Sequence, residues 1–255
     1  MRRRDTRLLP NGGPDAIRQV MLFGAAYLLY ELVRGLVNSN AARATWDATR
    51  VIELERRLHV FLEPSVQAWT LHRPWLMEIA GWTYLDAHGA VTFGVLTFVY
   101  LRRNESFHLV RTTFMIAMAI ALVGYAVYPT APPRLMPQWG FTDPVRMLTG
   151  IDAERGAGSV LLNAYAAIPS MHVCFALLTA ASMSRLARRR AIRVLWRLYP
   201  PAITLVVLAT GNHYLIDIAL GALTAGAAAL LASALPARAG TKVWAHVAPD
   251  RPAVP

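Results

Sequence analysis

The apolar residues of the chain fall in six long runs that are separated by more polar segments. A helix needs about 20 predominantly apolar residues to cross a bilayer, at a rise of about 1.5 Å per residue. We therefore predict an all-α bundle with about six transmembrane helices. The third run is short and the fifth contains Pro200 and Pro201, so the ends of these two are the hardest to place. The runs are residues 17–37, 79–101, 112–128, 167–184, 196–211 and 214–235.

The segment between the first two runs predicts a helix of another kind, around Thr49–Leu62. It is amphipathic, and its pattern leaves two positions open: in the headgroup plane outside the membrane, or packed across the top of the bundle. Residues 129–163 are rich in Pro and Gly, and we expect them to be mostly loop. The amphipathic pattern sets Val51, Leu54, Leu58 and Phe61 against Glu53, Glu55, Arg56 and Arg57.

Composition supports a membrane protein. The chain has 55% hydrophobic and 16% charged residues, whereas soluble domains carry about 25% charged residues. The net charge of +11 alone would suggest a nucleic-acid partner, but a chain this apolar argues against one. The one cysteine, Cys174, excludes an internal disulfide. We predict a single membrane domain: a basic tail over 1–16, the bundle over 17–235 and a second tail over 236–255.

The basic residues indicate the orientation of this bundle. Seventeen of the 26 fall on one side of a six-span chain, in the two tails and in the loops after spans two and four. The opposite segments, 38–78 and 129–166, hold eight basic and eight acidic residues. By the positive-inside rule we expect both termini to be cytoplasmic, in a multi-pass protein of the cell membrane. A cleaved signal peptide is disfavoured because the first run contains Glu31 and Arg34.

Three polar clusters lie at the predicted outer ends of spans, where ionisable residues indicate function. The first contains Arg134, whose planar fork of donors suits phosphate oxygens, of a substrate or of a lipid headgroup. The second contains His172 and Ser170, whose hydroxyl can cap the helix or bind a ligand. In the third, His213 and Asp217 are four residues apart and share a helix face. A carboxylate on one imidazole nitrogen raises the basicity of the other.

A metal site is the alternative interpretation of these clusters, because His and Asp are both metal ligands. An Arg beside a divalent cation is unfavourable, however. The spacing of His213 and Asp217 fits a nucleophile and its orienting group better. We therefore predict no metal.

The clusters resemble the type 2 phosphatidic acid phosphatase superfamily over roughly residues 79–235. Pro169-Ser170-Met171-His172 matches its P-S-x-H motif, and His213-x3-Asp217 matches the end of S-R-x5-H-x3-D. Two cations of the superfamily pattern are missing, because Val207 stands in place of Arg and Val127 in place of Lys. The variant Ala-Pro-Pro-Arg and Asn-His-Tyr-x-x-Asp patterns are similar to the branch that includes inositol phosphorylceramide synthases. Members of that branch transfer a phosphorylated headgroup between lipids.

Three residues are candidates to replace the missing cations: Asn212, Tyr214 and His88. His88 lies on the second predicted span, with Tyr84 and Asp86 nearby. The alternative role of these polar side chains is hydrogen bonding between helices.

The resemblance implies a mechanism without a cofactor. His213 would attack phosphorus and become a phosphohistidine while Asp217 holds its ring, and His172 would protonate the departing alkoxide. Arg134, Ser170 and the N–H groups that open the fourth span would bind the phosphate oxygens.

Three functions follow from the sequence. The leading one is a lipid phosphate phosphatase that acts on a membrane lipid at the extracytoplasmic face. The second is a transferase that passes phosphoryl-inositol or a similar headgroup to a lipid alcohol. The third is a transporter in which His213 and Asp217 form a proton relay, but it leaves the Pro-Ser-x-His match unexplained.

Overall fold

The computed structural model describes residues 9–36, 40–150 and 165–235, and within them the protein is helical. An isolated bridge between Thr130 and Ala166 is the extent of β-pairing in these residues. The ten α-helices are α1 (Gly13–Leu36), α2 (Ala41–Arg57), α3 (Glu63–Leu71), α4 (Pro74–Trp82), α5 (His88–Arg102), α6 (Asn104–Val127), α7 (Pro144–Thr149), α8 (Met171–Leu186), α9 (Arg190–Ala209) and α10 (Leu215–Ala234).

Five helical segments are long and apolar enough to cross a membrane: Gly13–Gly35, Pro74–Arg102, Asn104–Val127, Arg190–Ala209 and Leu215–Ala234. They coincide with five of the six predicted runs. The remaining run corresponds to α8, which is apolar but has 16 residues. The sixth crossing therefore stays a prediction.

Helix α9 is longer than the sequence suggested. It begins at Arg190, six residues before the predicted start, and continues through Pro200 and Pro201. Prolines are tolerated in membrane helices where neighbouring helices stabilise the interrupted turn. Here α9 packs closely on α8, with Ile203 and Val207 buried against the latter helix.

The main core lies between α1, α5, α6, α8 and α10, and small side chains at its centre let these helices approach closely. Ala117 and Ala121 of α6, Cys174 of α8 and Ala228 of α10 are all completely buried. This packing brings the last turn of α6 next to the first turns of α8 and α10.

The predicted amphipathic helix exists as α2, but its boundaries and its buried face differ from the prediction. It ends at Arg57, and Leu54 and Leu58 are 48% and 58% exposed. Its buried face packs across the end of the bundle against the loop after α6 and against Tyr214. Glu55, assigned above to the polar face, is completely buried because its carboxyl group binds the backbone of α10. The buried residues of α2 are Ala44, Asp47, Ala48, Val51, Ile52 and Glu55.

Two irregular segments supply residues to the same end of the bundle. A π-helical turn over Thr83–Ala87 joins α4 to α5, and such turns often occur at functional sites. The segment after α6 contains short 3₁₀ turns at Pro133–Leu135 and Pro137–Trp139, followed by α7. The segment expected to be mostly loop therefore contains three short helical pieces within 129–150. Residues 151–163 lie outside the described part of the chain.

Candidate active site

A small polar cavity lies at one end of the bundle. It is formed by the last turns of α1 and α6, the segment directly after α6, the first turn of α8, the π-helical turn, and the loops before α8 and α10. Its volume is about 90 Å³, well below the ~300–1,000 Å³ of pockets that enclose drug-sized ligands. It therefore suits a group such as a phosphate rather than a whole lipid. Its polar lining residues are Tyr30, Arg34, Tyr84, Tyr125, Arg134, His172, Asn212 and His213.

His213 and Asp217 lie side by side as predicted, but they do not share a helix face, because His213 precedes α10 and only Asp217 lies on that helix. The Nδ1 atom of His213 lies 3.4 Å from Oδ2 of Asp217, which is completely buried. The same oxygen accepts a 2.9 Å hydrogen bond from the backbone N–H of Tyr214. A separation of 3.4 Å is longer than a well-formed hydrogen bond, so the pair is held together mainly by the position of the two side chains. With Nδ1 next to Asp217, Nε2 is the nitrogen left for chemistry in the cavity.

His172 reaches the same cavity from the first turn of α8. Its ring stacks on Tyr84 with ring centroids 4.4 Å apart and an interplanar angle of 23°. The centroids of the His172 and His213 rings are 5.8 Å apart. The structure thus brings together two histidines that are 41 positions apart in the chain.

Arg134 is held in a fixed orientation by two side chains. Its Nε donates a 2.9 Å hydrogen bond to Oδ1 of Asn212, and its Nη1 pairs with Oδ2 of Asp143 at 3.0 Å. Asn212 is fixed in turn because its Nδ2 donates to the Thr210 hydroxyl at 2.9 Å. The Arg134 side chain is only 8% exposed, and it lines the cavity. Asn212, a candidate phosphate ligand above, therefore also orients the guanidinium group.

The other three candidates lie beside the cavity and do not line it. Ser170 caps α8, and its Oγ accepts a 3.4 Å hydrogen bond from the N–H of Val173. The Tyr214 hydroxyl donates to the carbonyl oxygen of Ala131 at 3.1 Å. His88 lies behind His172, with ring centroids 5.3 Å apart, and its Nδ1 contacts the Tyr199 hydroxyl at 2.8 Å. In the structure these polar groups support neighbouring elements.

Two groups of residues at this end of the bundle were not predicted from the sequence as parts of the site. Arg34 lines the cavity, and the signal for it was present as an ionisable residue in an apolar run. Glu55 and Glu63 are both completely buried below the start of α10. No local pattern marks these two glutamates as buried, because the helix they bind follows about 150 residues later.

The two glutamates satisfy backbone donors at the start of α10. Oε1 of Glu63 accepts a 2.8 Å hydrogen bond from the N–H of Leu215, and Oε1 of Glu55 accepts one of 2.8 Å from that of Ile216. Together with Asp217 they pair the first N–H groups of α10, which have no partner within the helix. Burial, and next the neighbouring carboxyl group of Glu63, raises the pKa of Glu55 to about 9. Glu55 is therefore protonated at neutral pH.

Among the described residues, no group of three His, Cys, Asp or Glu side chains is arranged to hold a metal ion. An apolar helical bundle with two histidines and two arginines around a phosphate-sized cavity fits the class of membrane enzymes of phosphatase type. A family model described as the PAP2 superfamily matches residues 49–231. The chain belongs to this superfamily, whose members are phosphatases or phosphotransferases. Neither a curated protein nor a solved structure matches the chain.

Proposed function

We propose that the chain is an integral membrane lipid phosphate phosphatase that works through a phosphohistidine at the extracytoplasmic face. The proposal rests on one observation above all. His172 and His213, from two separate motifs, face one phosphate-sized cavity, and the charged groups lining it are guanidinium groups.

In the first step, Nε2 of His213 attacks the phosphorus atom of the lipid phosphate. The bond from phosphorus to the lipid oxygen breaks, and protonated His172 gives its proton to the departing alkoxide, which leaves as an alcohol. Asp217 stabilises the positive charge that develops on the His213 ring. In the second step, His172 takes a proton from water as the water attacks the phosphohistidine, and inorganic phosphate is released.

Arg134 stabilises the charge on the transferred phosphoryl group. Asn212 and Asp143 engage Nε and Nη1, and no described residue accepts a hydrogen bond from the remaining Nη2. A guanidinium group held in advance loses little conformational freedom when it binds the transition state. Electrostatic stabilisation by such preorganised groups often contributes more to catalysis than any other effect.

The distribution of arginines supports the extracytoplasmic face. The cavity lies at the end of the bundle where α1 and α6 finish and α8 and α10 begin. The opposite end holds ten arginines among the described residues, and this is the charge pattern of a cytoplasmic side. These are Arg18, Arg102, Arg103, Arg111, Arg185, Arg188, Arg189, Arg190, Arg193 and Arg197.

A lipid alcohol in place of water makes the same site a headgroup transferase. The variant Asn212-His213-Tyr214 and Ala131-Pro132-Pro133-Arg134 sequences, similar to those of inositol phosphorylceramide synthases, favour this second candidate. The intermediate would then carry phosphoryl-inositol or a similar group on His213.

The test is product analysis on the purified full-length protein. Phosphatidic acid, a polyprenyl phosphate and phosphatidylinositol are each supplied with and without a lipid alcohol. Release of free phosphate in a yield that does not depend on the alcohol supports the phosphatase. Formation of a new phospholipid only when the alcohol is present supports the transferase instead of the phosphatase. If none of these lipids is turned over, both functions are contradicted.

His213→Ala is the matched control for the mechanism. It removes the nucleophile, so turnover and acid-labile labelling of the protein from a ³²P-labelled substrate should both vanish. The variant should retain the elution profile and melting behaviour of the wild type. Residual activity at the wild-type level would rule out His213 as the nucleophile.

A further inference from the structure

Arg34 enters the active-site cavity from a helix that the superfamily match does not include. It lies near the end of α1, whereas the match covers residues 49–231. An arginine near the end of a membrane helix commonly extends to the lipid headgroups. The Arg34 side chain is instead only 22% exposed, and it lines the cavity together with His172, His213 and Arg134.

Contacts within α1 orient the Arg34 guanidinium group. Its Nη2 pairs with Oε2 of Glu31 at 2.8 Å, one helical turn earlier. Its central carbon lies 5.9 Å from the centroid of the Tyr30 ring. Arg34 lines the cavity and Glu31 does not. Because a guanidinium group has five N–H donors, Arg34 can pair with Glu31 and bind a ligand at the same time.

A chain of hydrogen bonds ties this end of α1 to the motif that contains His172. The Tyr125 hydroxyl donates to the carbonyl oxygen of Pro169 at 3.2 Å. Its single hydrogen is thereby used, so the Tyr30 hydroxyl must be the donor in the 3.3 Å contact between the two tyrosines. Both tyrosines are buried, at 4% and 2% exposure. The position of Arg34 relative to His172 is therefore fixed by the fold.

The charged groups that line the cavity suit an anion with two negative charges, although each of them also pairs with a carboxylate outside the lining. The lining contains two guanidinium groups, and among the described lining residues there is no carboxylate. A phosphate monoester carries about 1.5 to 2 negative charges at pH 7, which one guanidinium group cannot balance. The two valines that stand in place of the missing cations carry no charge, and neither lines the cavity. Val127 is 64% exposed, and Val207 is buried between α8 and α9.

We propose that Arg34 is the second cation of the phosphate site and binds the substrate phosphate opposite Arg134. This inference rests on the proposed function, since it assigns a further ligand to the same site. The first membrane helix thereby becomes part of the active site.

The test measures binding separately from turnover. The full-length protein in detergent is titrated with inorganic phosphate, and its melting temperature is followed. Arg34→Gln removes the charge, and we expect about a 10- to 100-fold rise in the phosphate concentration for half-maximal stabilisation. Arg34→Lys keeps the charge without the fork of donors, and its rise should be smaller. Arg57→Gln, an exposed position on α2, is the matched control and should behave as the wild type.

Each outcome decides the proposal. An unchanged phosphate dependence in Arg34→Gln overturns it, and so does a wild-type protein that phosphate does not stabilise. If Arg34→Gln does not fold, Arg34→Lys decides: weaker phosphate binding supports the proposal, and binding equal to the wild type overturns it. The failure of the phosphatase proposal can be told apart from the failure of this one. If phosphate stabilises the wild type but not Arg34→Gln, and no lipid phosphate is turned over, the phosphatase proposal fails and the Arg34 assignment stands.

Discussion

At the scale of single residues, the orientation of Arg134 depends on its partners as much as on its charge. The guanidinium group binds Asn212 through one nitrogen and Asp143 through another. A lysine carries its three donors on one nitrogen atom, which cannot reproduce contacts that Arg134 makes through separate nitrogens of a planar fork.

We therefore predict that Arg134→Lys loses about 10- to 100-fold in kcat/KM while remaining folded. Steady-state kinetics on the best substrate from the panel measures this loss. Arg57→Lys, at the exposed position, is the control and should keep the wild-type rate. Wild-type kinetics in Arg134→Lys would mean that the phosphate is held elsewhere.

The sequence identified individual site residues where a motif or a local spacing marked them. The His213–Asp217 pair was predicted from helical periodicity, and His172 and Arg134 from their positions at span ends. For Ser170 and Tyr214 the sequence left two roles open, phosphate binding or hydrogen bonding within the fold, and in the structure their hydroxyl groups hydrogen-bond to backbone atoms. A sequence cannot tell which of two partners a hydroxyl chooses, because the competing backbone groups come from other elements.

At the scale of elements, the approach of α10 to the start of α8 depends on a glycine. A Cβ atom on Gly221 would overlap the carbonyl oxygen of Ser170. The N–H of Ser170 also donates to the carbonyl oxygen of Asp217 at 3.0 Å, so the two helix starts are in direct backbone contact. The separation of His172 and His213 is set by this contact.

We predict that Gly221→Ala lowers both the melting temperature and kcat, because the added methyl group forces the two helix starts apart. Overpacking of this kind costs about 1–3 kcal/mol. Gly226→Ala on the same helix is the matched control, since nothing lies within 4 Å of an added Cβ there. It should melt no lower than the wild type, because alanine favours a helix more than glycine does. Equal behaviour of the two variants would contradict this role of Gly221.

Helix positions were more predictable than helix partners. The apolar runs predicted the five long segments and the shorter α8, with ends that differ by several residues. Span length is a property of the run itself. The buried face of α2 was assigned incorrectly, since apolar periodicity favoured Leu54 and Leu58. The buried face of α2 is instead determined by contacts with the loop after α6 and with α10, and these contacts form only in the folded chain.

At the scale of the whole molecule, Glu55 makes stability depend on pH. In the folded protein its pKa is about 9, compared with 4.5 for an unperturbed glutamate. Between these values the unfolded chain releases the proton while the folded protein keeps it. Glu55 therefore lowers stability progressively as pH rises from about 4.5 to about 9.

We predict that Glu55→Gln weakens this dependence. Glutamine resembles the protonated side chain and still accepts the hydrogen bond from the N–H of Ile216, but it does not titrate. Melting temperatures between pH 6 and 9 should fall less steeply for the variant than for the wild type. Parallel curves would show that Glu55 does not hold its proton in the folded protein.

The glutamate pair also shows why the global arrangement was beyond the sequence. Glu55 and Glu63 lie on α2 and α3, near the beginning of the chain, and they close the start of a helix near its end. Arg34 likewise acts at a cavity whose other polar residues lie between 50 and 179 positions later, apart from Tyr30 in the same helix. Pairings over such distances are fixed by the packing of the bundle and leave no periodic signal.

The small volume of the cavity has a consequence for how the rate of such an enzyme is measured. For the lipid phosphate proposed as substrate, a space that holds the phosphate and excludes the acyl chains leaves those chains in the surrounding bilayer or micelle throughout the reaction. The enzyme then encounters its substrate by lateral diffusion in two dimensions. The rate will follow the mole fraction of substrate in the surface, so adding inert detergent at constant total lipid will slow it by surface dilution alone.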